Sequence, residues 1–239
     1  MRNAFLFVLF FLTLFISNSF AEFTFVQTKD VSSDTPGIRG INFKPDGTRM
    51  YITNRESGGD AYIIEYSLST PFDISTANIS FSGGTPKGTA LTCAAEGVGQ
   101  MTLPHAIEFK PDGTKMFITT NEAIGSFDLG VWQFQLTTPW DSTSLVCEKI
   151  YEIDIDDAEG EDQVRTLAFK PDGTRMFVGG RDLDKLRQYD LATPFDLRSG
   201  VTPGGVSADL SSIETNMRNI QFNPDGTQMF MSGNERDVG

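Results

Sequence analysis

The 239-residue chain contains a single histidine, His105, and two cysteines, Cys93 and Cys147. One imidazole rules out a histidine-rich metal site assembled from these residues, and it limits any Ser-His-Asp triad to His105. Basic residues are scarce as well: 19 Lys and Arg stand against 32 Asp and Glu, a formal net charge of −13. Such a field repels phosphate backbones and no basic stripe overrides it, so nucleic acid is not an expected partner. Long apolar runs are missing, with one exception. Behind Arg2 comes an apolar stretch from Ala4 to Ile16, then Ser19-Phe20-Ala21, the small-x-small pattern of a signal peptidase site. Its 13 residues fall short of the roughly 20 that a spanning helix needs. Residues 1–21 therefore read as a cleaved secretory signal, and no cysteine follows that would carry a lipid anchor. The expected mature protein, 22–239, is periplasmic, cell-surface or extracellular, keeps no integral membrane segment, and has a charge of −14 once Arg2 is gone. At 39% hydrophobic and 21% charged residues, it can bury one sizeable core.

What is abundant is repetition. "FKPDGT" occurs at Phe43, Phe109 and Phe169, and "FNPDGT" at Phe222, giving periods of 66, 60 and 53. Upstream stand "IRGINF", "HAIEF", "VRTLAF" and "MRNIQF"; downstream stand "RMYITN", "KMFITT", "RMFVGG" and "QMFMSG". Each copy reads as apolar strand, Pro-Asp-Gly turn, apolar strand, with proline presetting the first corner and glycine taking the left-handed position. The second strand is apolar on both sides, so both faces of the sheet must be covered. A second motif, "YSLSTPFD" at 66, "FQLTTPWD" at 134 and "YDLATPFD" at 189, gives a third strand that ends where proline leaves the ladder and aspartate caps a corner. Segments at 79–81, 145–153 and 206–210 fit a fourth, outer strand. Repeated four-stranded antiparallel sheets without helical periodicity predict an all-β fold, a β-propeller of stacked blades.

The run from Pro104 to Gly113, "PHAIEFKPDG", resembles the blade opening of the lactonase-like and quinoprotein-amine-dehydrogenase-like propellers, and the "TPFD" element resembles repeats of exported and phage-associated marine proteins. The resemblance covers nearly all of 22–239. It implies the fold, and it leaves function open, because that superfamily contains lactonases, redox enzymes and plain binding scaffolds.

The strand inventory is uneven. "KDVSSDTPGIR" aligns with "ADLSSIETNMR": in both, an aspartate (Asp30, Asp209) lies nine positions before an arginine (Arg39, Arg218). Residues 22–38 therefore read as a lone outer strand, running from Glu22 to Val31, that would close a ring. Blade 1 takes 39–103, blade 2 takes 104–163 and blade 3 takes 164–215, while 216–239 supplies the first half of a fourth. The expected architecture is an incomplete ring, a C-terminally truncated piece of a propeller of about six to eight blades.

Four positions before each motif phenylalanine stand Arg39, His105, Arg165 and Arg218, which should gather at one mouth of the central channel. Such a ring either holds a carboxylate, phosphate or anionic sugar, or pairs with loop carboxylates such as Asp34, Asp162 and Glu214. The acidic run from Glu152 to Gln163 offers Asp154, Asp156, Asp157 and Glu159 as Ca²⁺ ligands; the alternative is a solvated loop. No other cofactor is expected. Cys93 and Cys147 either form a disulfide that pins the insertion after blade 1 to blade 2 or remain thiols. Trp132 and Trp140 read as packing residues, with sugar stacking as the other reading for Trp140. Asp46, Asp112, Asp172 and Asp225 are turn residues. Two functions follow: a binding scaffold for a protein partner or a small anionic or carbohydrate ligand, or a lactonase-like hydrolase acting on a sugar lactone or related ester.

Overall fold

In the computed structural model of the chain, the described residues are 27–35, 37–55, 61–80, 88–120, 129–153, 163–181, 185–209 and 217–233. The signal sequence, Asp154, Asp156, Asp157, Glu159, Asp162 and Glu214 lie outside them.

Strands β1 (Ile38–Phe43), β2 (Arg49–Arg55), β3 (Ala61–Leu68) and β4 (Ala77–Ile79) form an antiparallel meander, with β5 (Thr89–Ala90) pairing the far end of β3. The outer edge of this first sheet is thus split between two short strands, the first of which begins at Ala77, two residues before the expected segment 79–81. A small hairpin, β6 (Thr92–Cys93) and β7 (Val98–Gln100), follows. The second sheet runs β8 (Pro104–Phe109), β9 (Lys115–Thr120), β10 (Gly130–Leu136), β11 (Leu145–Glu152). The third runs β12 (Gln163–Phe169), β13 (Arg175–Arg181), β14 (Lys185–Thr193), β15 (Asp196–Asp209); its outer strand starts well before Val206 because it leaves the turn directly and absorbs three register shifts. Strands β16 (Met217–Phe222) and β17 (Met229–Gly233) form a two-stranded fourth sheet.

Each repeated turn sets one register. Phe43 faces Met50, Phe109 faces Met116, Phe169 faces Met176 and Phe222 faces Met229. The aspartate of each turn accepts the backbone N–H of the threonine two residues on, at 3.0, 2.9, 3.0 and 2.9 Å. In three copies a lysine also reaches that carboxylate, as Lys44 does Asp46 at 2.6 Å. The Lys44 ammonium and the Thr48 donors hold Asp46 down at about 2. These four carboxylates are committed to turns.

The two motifs lock onto each other. The backbone N–H groups of Phe72, Trp140 and Phe195 donate to the carbonyls of Gly47, Gly113 and Gly173, at 2.9, 3.1 and 3.0 Å. These aromatic residues adopt left-handed φ of 59°, 64° and 55°, a conformation that costs on the order of 1 kcal/mol in a non-glycine residue. Their rings lie where a Cβ on each glycine would sit, so a hydrogen atom there is a requirement of both φ and space. The aspartate that follows caps the corner: Asp73 accepts from the Ser75 N–H at 3.0 Å and Asp141 from that of Thr143 at 2.9 Å.

Along β9, Met116 and Ile118 face the first sheet while Phe117 faces the third, and all three are fully buried. This two-residue alternation places one apolar layer between each pair of sheets. A polar joint repeats beside it: the Ser142 N–H donates to Glu65 Oε2 at 2.8 Å, and the Leu197 N–H donates to Gln133 Oε1 at 2.7 Å. The first strands β1, β8, β12 and β16 touch one another in succession, which makes them the inner strands of an arc. Among the described residues the sheets form no closed ring.

Of the outer strand expected from Glu22 to Val31, residues 22–26 lie outside the described residues, and 27–35 make no ladder pairing. A strand needs a partner edge, and in this arc the segment finds the face of the first sheet instead. Val31 is buried with Tyr66, Leu68 and Ala77, and Lys29 Nζ donates to the Ala77 carbonyl at 3.0 Å.

Candidate functional site

All four inner strands begin with the same irregularity. The pairing of each inner strand with its neighbour shifts register between Ile38 and Gly40, Pro104 and Ile107, Val164 and Thr166, and Met217 and Asn219. Arg39, His105, Arg165 and Arg218 lie within those breaks. A bulge leaves a residue out of the ladder and re-aims its side chain, and here it does so at the one position where each repeat carries a cation or the imidazole. Side-chain bonds fix two of the bulges. Thr53 Oγ1 accepts from the Gly40 N–H at 2.7 Å and donates to the His105 carbonyl at 3.1 Å, tying β1 to β8. Thr119 Oγ1 accepts from the Ala106 N–H at 2.9 Å. Gly40 also permits the close approach, since a Cβ there would overlap the His105 carbonyl oxygen.

The four side chains line one cavity of about 660 Å³ between the inner strands. Asn42, Glu108, Asn219 and Gln221 line it too, and Glu108 is the one carboxylate among its lining residues. Asp34 accepts from the Tyr66 hydroxyl at 3.0 Å. The bulges are what sequence reasoning missed; the fixed offset of the cations from the turn was the signal of a shared position.

Burial pushes the Glu108 carboxyl up to about 7, with a hydrogen bond from Asn42 opposing it. The raised value has a sign. The folded state holds this proton from about the ordinary value of 4.5 up to about 7, so stability conferred below that window is lost as pH rises through it, by on the order of 3 kcal/mol. Glu108→Gln is expected to remove this slope and to be more stable than the parent at pH ~8. Urea melts at a pH below the window and one above it check this; equal slopes in parent and variant would contradict it.

Away from the cavity, the Sγ atoms of Cys93 and Cys147 are bonded, with Cα atoms 5.0 Å apart, joining the β6–β7 hairpin to β11. Lys149 Nζ adds an ion pair to Glu96 at 3.1 Å across the same contact. Trp132 is buried inside the joint between the first two sheets. Trp140 stacks on Phe109 at 5.1 Å, and its carbonyl accepts from the Tyr51 hydroxyl at 2.5 Å and from Arg49 at 2.8 Å, so packing accounts for it. No group of three or more His, Cys, Asp or Glu placed to hold a metal occurs among the described residues, and no helix there is long and apolar enough to cross a membrane.

No protein-family model matches the chain, and no curated protein does. Solved structures do. A 6-phosphogluconolactonase-like protein of Bacteroides uniformis matches with a TM-score of 0.51 and 16% identity, over 81% of this chain and 46% of its own. One from Bacteroides fragilis matches at 0.53 and 16%, over 81% and 47%. The periplasmic gluconolactonase of Pseudomonas aeruginosa gives 0.47 and 14%, over 82% and 47%. The likeness shows the fold, four-stranded blades of a β-propeller. The chain spans about half the length of these structures.

Proposed function

We propose that this chain is part of an exported binding propeller that takes an anionic ligand, a carboxylate or phosphate on a small molecule or on a partner's surface, at the mouth formed by the inner strands. The observation that carries the reading is the placing of Arg39, His105, Arg165 and Arg218 at equivalent bulges around one cavity. Guanidinium forks match carboxylate and phosphate oxygens in pairs of hydrogen bonds. The neighbouring amides of Asn42, Asn219 and Gln221 suit hydroxyl groups on the same ligand. Export is supported by the apolar segment at 4–16 and by the disulfide, which persists in oxidising compartments.

Calorimetric titration with inorganic phosphate and with glucuronate tests this reading. One saturable site is expected for at least one of them. Affinity should fall about tenfold or more on Arg165→Ala with Arg218→Ala, since each charged hydrogen bond contributes about 1.5 kcal/mol or more. Binding unchanged by that double variant would remove the proposal. A second reading, a lactonase-like hydrolase, is favoured by the titration of Glu108 near neutrality in the same cavity, as a general base for water requires. Lactone hydrolysis that Glu108→Gln abolishes would place the chain there instead.

A further inference from the structure

The inner strands carry a second set of repeat-equivalent positions. Three residues after Arg39, His105, Arg165 and Arg218 stand Asn42, Glu108, Ala168 and Gln221. In a regular strand, residues three apart lie on opposite faces. The bulge at each strand start inserts the extra residue that brings the two positions onto one side. Asn42, Glu108 and Gln221 accordingly line the same cavity as the cations, while Ala168 is buried in the joint between the third and fourth sheets. The three polar members differ in one respect. The amides of Asn42 and Gln221 both donate and accept, whereas an ionised carboxylate only accepts. Asn42 Nδ2 donates to the Ile107 carbonyl at 3.1 Å, and the same side chain hydrogen-bonds the Glu108 carboxyl. Glu108 is thereby held from one side, yet it stays only half-buried, with acceptor positions left for a molecule in the cavity.

We propose that Glu108 sets the ligand's chemistry at this site: its carboxylate accepts a hydrogen bond from the ligand. The site then selects an oxyanion that carries an O–H donor beside its charged oxygens, as hydrogen phosphate and 2-hydroxy acids do, over one that carries none. This inference rests on the anion site proposed above and narrows it. The charged or titratable groups among the lining residues are Arg39 on β1, His105 and Glu108 on β8, Arg165 on β12 and Arg218 on β16. On the adjoining β2 and β9, Arg49 and Lys115 are engaged by Glu65 and Glu148. The cations attract any anion, and Glu108 is the group that tells one from another. An anion with its own donor meets the carboxylate through a hydrogen bond. An anion without one meets an unsatisfied acceptor and a like charge, which disfavour it. With the carboxyl pushed up to about 7, a donor-free anion binds with uptake of a proton by Glu108 and binds more tightly as pH falls through that value.

Calorimetric titration at pH ~8, where Glu108 is ionised, tests this with two matched pairs, phosphate against sulfate and lactate against propionate. Phosphate and sulfate are both mostly dianions there and differ by one proton; lactate and propionate differ by one hydroxyl. The parent is expected to prefer the donor-bearing member of at least one pair about tenfold or more. The pair concerned says whether the ligand is of the phosphate or the hydroxy-acid kind. Glu108→Gln should lower that ratio about tenfold, chiefly by tightening the donor-free anion, since an amide donates as well as accepts. Sulfate should also bind the parent more tightly at pH ~6 than at pH ~8, by a larger factor than it does Glu108→Gln. His105 is present in both proteins, so its own protonation cancels in that comparison. Ratios near one in the parent, or a preference that Glu108→Gln leaves intact, would overturn the inference. The anion site is judged separately by Arg165→Ala with Arg218→Ala. If that double variant weakens every anion that binds while the ratios stay near one, the site stands and the role of Glu108 falls. Binding of glucuronate alone would have the same meaning, and no binding by any of these anions would remove the site and the inference together.

Discussion

Gly113→Ala is expected to cost about 2 to 5 kcal/mol of stability, the sum of a left-handed conformation forced on alanine and an overpacked ring contact. Gly113 has φ +72°, and the place of the new methyl group is filled by the Trp140 indole. Relief would require the indole to leave Phe109 and Tyr51, which breaks the joint between the first and second sheets. Gly226→Ala is the matched control. Its φ is +70°, but the nearest atom to a Cβ there is Pro171 Cδ at 2.9 Å, and no aromatic ring covers it. That variant should lose less, the conformational part of about 1 kcal/mol and the small shift that Pro171 Cδ must make, with no ring to displace. Urea midpoints of the two variants measured side by side check the account. Equal losses would mean that the stacking of the two motifs contributes nothing to the fold.

The second large effect is the disulfide. Cys93 and Cys147 close a loop with a sequence separation of 54, for which chain entropy gives about 4 kcal/mol of stabilisation. The bond holds the β6–β7 hairpin, whose residues Leu91, Val98 and Met101 are buried against the second sheet. Replacing both cysteines by serine, or adding reductant, is therefore expected to lower the thermal midpoint by several degrees or more. Intact mass with and without reductant reports the bond itself, and an unchanged midpoint after its verified loss would contradict the assignment.

The repeat and its turn were legible in the sequence because one requirement recurs wherever one chain geometry recurs. A Pro-Asp-Gly corner between two strands needs glycine at positive φ and an acceptor for the following N–H, and both needs are written in residue types. The second motif was legible as a corner, but its partnership was not. That the aromatic residue of Thr-Pro-aromatic-Asp covers the glycine of the other turn depends on a contact between residues more than 20 positions apart, such as Gly47 and Phe72. The bulges at Arg39, His105, Arg165 and Arg218 were hidden for a similar reason, since no glycine or proline marks all four. Glu108 passed unnoticed because nothing local separates a buried carboxylate from an exposed one, and its repeat equivalents Asn42, Ala168 and Gln221 share no charge. The fourth strands were placed least well, as outer strands pair on one edge only and tolerate the splits and shifts seen in β4, β5 and β15.

The central claim is that residues far apart in the chain form one anion site, and the single histidine gives a direct view of it. Only one imidazole Hε1 resonance exists in the proton spectrum of this protein, that of His105. Titration with phosphate or glucuronate should move that resonance along a saturating curve, and Arg218→Ala, 113 residues away in sequence, should weaken the curve about tenfold. A His105 resonance unmoved by either anion, or moved identically in the parent and the Arg218→Ala variant, would contradict it.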